Sequence, residues 1–339
     1  MEEKKKFKIL CIDGGGIKGL YSAQVLAKFE ESINTRLSDY FDLICGTSTG
    51  GIIALGVSAK IPMKNIVEFY ENYGPKIFAS NWKRLGYFGN LILGFKQAMC
   101  KSKYSQKPLR EALTSVYGSR TISESHNLLC IPAYNLTDAS PRIFKRDYGS
   151  LNQDNNKTYV DVALATSAAP TYFPIKEINK FDYVDGGLFA NNPVLVGLTE
   201  YLFKWAKTGM FDGVDILSIS SCEKSQGWSP TKRKLSFYKW KDNIFDCYSN
   251  GQSLTETFFL RQLINSGTLN FDLNIVRVAN KPLSSQQEKY VNMDDASRQS
   301  MNILSSIGAK TGVDFKEKEE VKAFFNTGKT INPEDYGKQ

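Results

Sequence analysis

Residues 41–54 read FDLICGTSTGGIIA. The short apolar run Leu43-Ile44-Cys45 leads into Gly46-Thr47-Ser48-Thr49-Gly50, and Gly51 to Leu55 continues as a small, apolar segment suited to a helix. Gly-x-Ser-x-Gly between a strand and a helix is the nucleophile-elbow pattern. The turn is so tight that only glycine, here Gly46 and Gly50, leaves room on either side of the serine. The Ser48 hydroxyl then projects above the sheet, in the positive field at the N-terminus of the following helix. Ser48 is therefore the candidate nucleophile.

Upstream, Phe7 to Ile12 is a short buried-strand pattern that stops at Asp13-Gly14-Gly15-Gly16-Ile17-Lys18-Gly19. Ile17, Tyr21, Val25, Phe29 and Ile33 then recur every fourth residue, which predicts a helix directly after the loop. A glycine loop between strand and helix aims free backbone N–H groups at an anion. Gly14, Gly16 and Gly19 also satisfy GxGxxG, so a dinucleotide-binding fold competes with the hydrolase reading. That fold wants an acidic residue at the end of the second strand; here that strand ends in Gly46-Thr47-Ser48, and Asp13 would repel a pyrophosphate.

Downstream of the elbow, Met63, Ile66, Tyr70 and Tyr73 form a helical stripe expected to end at Gly74-Pro75. Strand, helix, strand, helix implies an α/β fold with a mostly parallel sheet covered on both faces. Residues 78–103 break this regularity: Trp82, Tyr87, Phe88 and Phe95 are interleaved with Lys83, Arg84, Lys96 and Lys101. That composition suits a lid or a lipid-touching segment, and equally an insert packed on the core. Further strands are expected at 127–134, 142–146, 181–185 and 214–219, with helices at 107–116 and 160–165. Leu195, Leu198, Leu202 and Trp205 should form the buried face of a helix capped at Asn191-Asn192-Pro193. Composition shifts at about Glu223. Beyond it lie a long aromatic helix (243–265), an alternating strand (270–278) and helices at 294–307 and 315–325. Residues 1–222 thus read as a catalytic core, and 223–339 as a helical extension or regulatory region packed on it.

A serine hydroxyl needs a base within hydrogen-bond reach. The chain holds one histidine, His126, in a loop-like stretch before a strand, and none follows in the order of an ordinary Ser-acid-His triad. A carboxylate is the better candidate. Asp185 stands at a strand end followed by Gly186-Gly187, where α/β sites form.

The 339 residues carry a formal charge of +8 with pI about 9.0, favouring an anionic partner: phospholipid headgroups, nucleic acid or a phosphorylated ligand. The basic residues are spread widely, so charge does not choose among these, and a plain solvated basic surface is equally open; no nucleic-acid polymer is expected as a partner. Six cysteines lie scattered without CxxC pairs, and Cys11, Cys45 and Cys130 read as buried free thiols of a reducing, cytoplasmic setting. No signal peptide, membrane-spanning run or zinc site is expected.

DGGGIKG at 13–19, GTSTG at 46–50, DGG at 185–187 and ATSAAPTYFP at 165–174 together resemble the patatin-like phospholipases over residues 7–221. The resemblance implies a three-layer α/β/α sandwich and a lipid acyl hydrolase of phospholipase A type, with a Ser–Asp dyad and no cofactor or metal. Ser48 would be the nucleophile, Asp185 the general base, and the Gly14, Gly15 and Gly16 amides the oxyanion hole. Lys18 stands where the family has a basic residue. The stretch FYENYGPKIF at 69–78 is most similar to the bacterial branch. That branch includes antiphage effectors switched on by cyclic nucleotides, which implies a phospholipid membrane surface as substrate, a cyclic dinucleotide as activator, and a peripheral position on the inner face of the membrane. A homo-oligomer is compatible with this. Three other readings stay open: a constitutive esterase, a non-catalytic binding or storage protein, and a nucleotide-binding module using loop 14–19.

Overall fold

The computed structural model describes residues 5–33, 35–79, 102–224, 234 and 237–336. The aromatic and basic stretch expected at 78–103 falls, from 80 to 101, outside the described residues.

The centre is an eight-stranded sheet in the order β5-β6-β3-β2-β1-β7-β8, with β4 paired to β3. The strands are β1 (Lys6–Ile12), β2 (Leu43–Gly46), β3 (Leu128–Asn135), β4 (Ser140–Lys145), β5 (Lys176–Ile178), β6 (Phe181–Asp185), β7 (Gly213–Ile219) and β8 (Asp272–Val278). From β3 across to β8 all neighbours are parallel; β4, β5 and β6 run antiparallel at one side. The apolar run Phe7 to Ile12 is explained by its place near the middle. Every one of these side chains except Lys8 is apolar, and all are buried, because helices cover both faces. Leu10 and Ile12 pack with α1 (Gly19–Glu30) and α2 (Thr49–Ser58), while Phe7, Ile9 and Cys11 join Tyr201 and Trp205 on the opposite face. Cys11, Cys45 and Cys130 lie side by side across β1, β2 and β3 as buried free thiols.

Two local expectations are corrected. Gly74-Pro75 does not end α3 (Met63–Ile77), which continues for almost another turn. Pro75 removes an N–H from the ladder, but the turn runs on past it: Phe78 N–H donates to Gly74 O at 3.0 Å and Ile77 is buried. Leu202 does not face the core and is 38% exposed, whereas Tyr201 and Trp205 are buried. The cause is a wide turn at Tyr201–Trp205 after α6 (Val194–Glu200), in which Ala206 N–H donates to Tyr201 O. The extra residue rotates the inward face by about one position, so a regular 3.6 period misplaces it. Two further helices, α4 (Lys107–Tyr117) and α5 (Tyr159–Thr166), stand where the pattern puts them.

The boundary at 222/223, drawn on composition, falls between two hydrogen-bonded strands of one sheet. β8 pairs in parallel with β7 from Gly213–Asp272 to Ile219–Val278. The long α7 (Phe237–Asn265) lies across the chain segment after β6, where Gln252 Oε1 accepts from Asn191 N–H. α8 (Arg298–Lys316), later in the chain than the expected 294–307, is capped by the Ser297 side chain. It packs against α1 at Gly308 and Gly312, where a Cβ would lie 2.6 Å from Tyr21 O and from Lys28 Cβ respectively. The stretch expected as one helix at 315–325 breaks after Lys316 and resumes as a short helical segment from Glu319. No helix among the described residues is long and apolar enough to cross a membrane.

Candidate active site

β2 stops at Gly46 and α2 starts at Thr49, leaving two residues to reverse the chain. Ser48 takes φ 55°, ψ −122°, a region that side chains avoid and that costs on the order of 1–3 kcal/mol. Close contacts hold it there. A Cβ on Gly46 would lie 2.2 Å from Gly50 O, and one on Gly50 would lie 2.1 Å from Ile12 O, so both flanking glycines are required by backbone approach. Thr47 N–H donates to Ile12 O at 3.2 Å. Ser48 N–H donates to Thr166 Oγ1 at 2.9 Å, and the Thr166 hydroxyl in turn donates to Pro132 O.

Asp185 closes β6 and is 1% exposed. Its Oδ2 accepts from Ser48 Oγ at 2.7 Å, and its Oδ1 accepts from Gly187 N–H at 2.7 Å. Burial pushes its carboxyl from the usual 3.8 up to about 7, with the Ser48 and Gly187 hydrogen bonds pulling back. A half-titrated carboxylate near neutral pH is suited to a general base. A Cβ on Gly186 would lie 2.3 Å from Pro132 O, which ties the Asp185 turn to β3. The lone histidine is elsewhere: the exposed His126 donates its backbone N–H to Ser58 O, at the far end of α2 from Ser48.

The glycine loop lies against the serine, since a Cβ on Gly14 would come within 3.3 Å of Ser48 Cβ. Its amides are unequal. Gly14 N–H donates to Asn191 O at 2.9 Å and Ile17 N–H to Met293 O at 2.8 Å. Gly15 and Gly16 N–H donate to no protein group among the described residues, which leaves these two, and not Gly14, free to receive an anion. Lys18 folds back along Gly15: its N–H donates to Gly15 O at 3.2 Å, its Cε lies 3.2 Å from where a Gly15 Cβ would stand, and its ammonium makes no hydrogen bond or ion pair among the described residues.

Beside Ser48 opens a pocket lined by Ile17, Ile52, Phe69, Ile77, Leu109 and Phe173 among others. Its walls are almost wholly apolar, so it accommodates a hydrocarbon chain and repels a charged nucleotide. Three parts of the site carry little sequence signal. Thr166 sits in an alanine-rich helix end, the Asn191 main chain accepts from Gly14, and Met293 lies in a loop beyond β8. Of these, Thr166 alone falls in a stretch with a sequence signal, ATSAAPTYFP at 165–174, whose small residues allow close backbone approach.

The Patatin-like phospholipase family model matches residues 10–198. Three curated proteins, each described as a cGAMP-activated phospholipase, are similar over most of the chain. The one from Pseudomonas aeruginosa is 31% identical, covering 89% of this chain and 86% of its own. The one from Escherichia coli is 30% identical, covering 95% and 94%. The one from Vibrio cholerae is 28% identical, covering 95% of each. Among solved structures, VipD from Legionella pneumophila aligns with 90% of this chain and 67% of its own at TM-score 0.38 and 12% identity.

Proposed function

The chain belongs to the patatin-like phospholipase family, and from this we propose that it cleaves glycerophospholipid acyl esters through a Ser48–Asp185 dyad and an acyl-enzyme. The observation that carries this reading is the 2.7 Å contact between Ser48 Oγ and a buried carboxylate whose pKa lies near 7.

Asp185 takes the Ser48 proton as Oγ attacks the ester carbonyl. The carbonyl oxygen becomes an oxyanion facing the Gly15 and Gly16 amides, each donor contributing roughly 3–4 kcal/mol in the transition state. As the tetrahedral intermediate collapses, Asp185 returns the proton to the leaving glycerol oxygen and lysophospholipid departs. Water, deprotonated by Asp185, then attacks the acyl-enzyme and releases the fatty acid. The apolar cavity beside Ser48 holds the acyl chain during both half-reactions. The dinucleotide reading of loop 14–19 is disfavoured, because the Gly14 and Ile17 amides are already donated to protein carbonyls.

The relatives' description as cGAMP-activated supports a finer proposal. Hydrolysis is weak alone and rises with a cyclic dinucleotide, and the protein acts from the cytoplasm at the membrane surface as an antiphage effector. The test is fatty-acid release from mixed phospholipid vesicles with and without cGAMP, alongside labelling by a fluorophosphonate. Ser48→Ala and Asp185→Asn should each abolish release. Full activity in either variant rules out the dyad, while constitutive activity indifferent to cyclic dinucleotides rules out the activation and leaves a plain esterase.

A further inference from the structure

Asp13 is the one charged residue of the glycine motif's strand end, and the dyad chemistry gives it no role. It is 3% exposed. Its N–H donates to Ile219 O at the end of β7, and its carboxylate meets Arg277 of β8, two strands away. The guanidinium is bidentate: Nη1 donates to Asp13 Oδ1 at 2.9 Å and Nη2 to Oδ2. Nη1 also donates to Ser218 Oγ at 2.7 Å on the intervening strand, and Nη2 to Glu223 Oε1 at 2.8 Å. Burial pushes the Asp13 carboxyl up and the guanidinium pulls it back.

The three residues after Asp13 are glycines, without side chains to anchor them and with the widest backbone freedom of any residue. The direction of the Gly15 and Gly16 amides is therefore set by the one main-chain bond inside the loop, Gly14 N–H to Asn191 O, together with what clamps the loop at its ends. At the upstream end that clamp is the planar Arg277 fork on Asp13, a pairing that fixes angle as well as distance. At the downstream end Met293 O receives Ile17 N–H. Both clamps come from the C-terminal third of the chain.

We infer that Arg277 is a positioning residue for acyl transfer, holding the Gly15 and Gly16 amides on the oxyanion through Asp13. This rests on the proposed reading that those amides receive the oxyanion. The test uses the full chain as wild type, Arg277→Lys, Arg277→Gln, Asp13→Asn and the Asp13→Asn/Arg277→Gln pair. Measured are kcat and KM on a soluble ester, per Ser48 titrated by fluorophosphonate, and the rate of phosphonylation itself. Arg277→Lys keeps the charge and loses the fork. It should lower kcat and phosphonylation together by about 10-fold, less than the ~10²–10³ lost on deleting an oxyanion donor, with KM within twofold. The double variant should be no slower than Arg277→Gln alone.

A purely structural role lowers the titratable fraction and leaves kcat per titrated serine unchanged, which overturns the inference. So does a loss that falls on KM. If Arg277→Gln does not fold, Arg277→Lys decides alone. A wild type that fluorophosphonate labels neither with nor without cGAMP refutes the dyad and this inference together; a labelled wild type with an equally fast Arg277→Lys refutes only the inference.

Discussion

Replacing the proposed base should make the protein inert and more stable at once. Asp185→Asn keeps the shape of the side chain, and its amide oxygen can still accept a hydrogen bond from Ser48 or Gly187. What it removes is a carboxylate that is 1% exposed and faces no cation among the described residues. Its pKa rises from 3.8 unfolded to about 7 folded, so between those values the folded state holds a proton that the unfolded state has lost. Wild-type stability therefore falls as pH rises from about 4 to about 7 and is level above. At 1.36 kcal/mol per pKa unit the full penalty is about 4 kcal/mol. Asparagine does not titrate, so the variant escapes it. From pH 5 to pH 8 the advantage of Asp185→Asn over wild type should widen by about 3 kcal/mol. Urea melts of both proteins at these two pH values measure that difference directly. A gap that is the same at pH 5 and pH 8, or a wild type that gains on the variant at pH 8, refutes the placement of a strained, near-neutral carboxylate at this site.

The same pKa gives a rate prediction: kcat/KM should climb as pH rises toward about 7, where Asp185 becomes ionised, and level off above it, as read from initial rates on a soluble ester. Gly50→Ala should destabilise by about 3 kcal/mol in urea melts, at the upper end of overpacking costs, because its Cβ would lie 2.1 Å from Ile12 O and 2.7 Å from Asp13 O, both main-chain atoms. Gly251→Ala, on α7 with nothing within 4 Å of the added carbon, should instead stabilise by roughly 0.5–1 kcal/mol. His126→Ala should keep wild-type fatty-acid release, since that residue sits at the opposite end of α2 from Ser48; a large loss would return a histidine to the mechanism.

The sequence alone determined those features whose cause is local. A run such as Phe7 to Ile12, apolar on both faces, makes sense only as an inner parallel strand, and glycines at 46 and 50 are demanded by the backbone contacts of the elbow. With a single histidine in the sequence, a carboxylate is the base the chain can offer Ser48, and Asp185 lies on the serine. Tertiary structure decided what depends on residues distant in the chain. Ser48 and Asp185 are 137 positions apart, and their 2.7 Å contact is set by β6 running antiparallel to β3. Which loop amides stay free follows from Asn191 O and Met293 O taking those of Gly14 and Ile17. A composition shift near Glu223 suggested an appendage, yet β8 from beyond it completes the sheet and brings Arg277 to Asp13, 264 positions away. Periodicity records which face of an element is buried, because burial acts on each side chain singly. Which groups meet across the sheet is fixed by strand order and register, and one chain read in sequence carries neither.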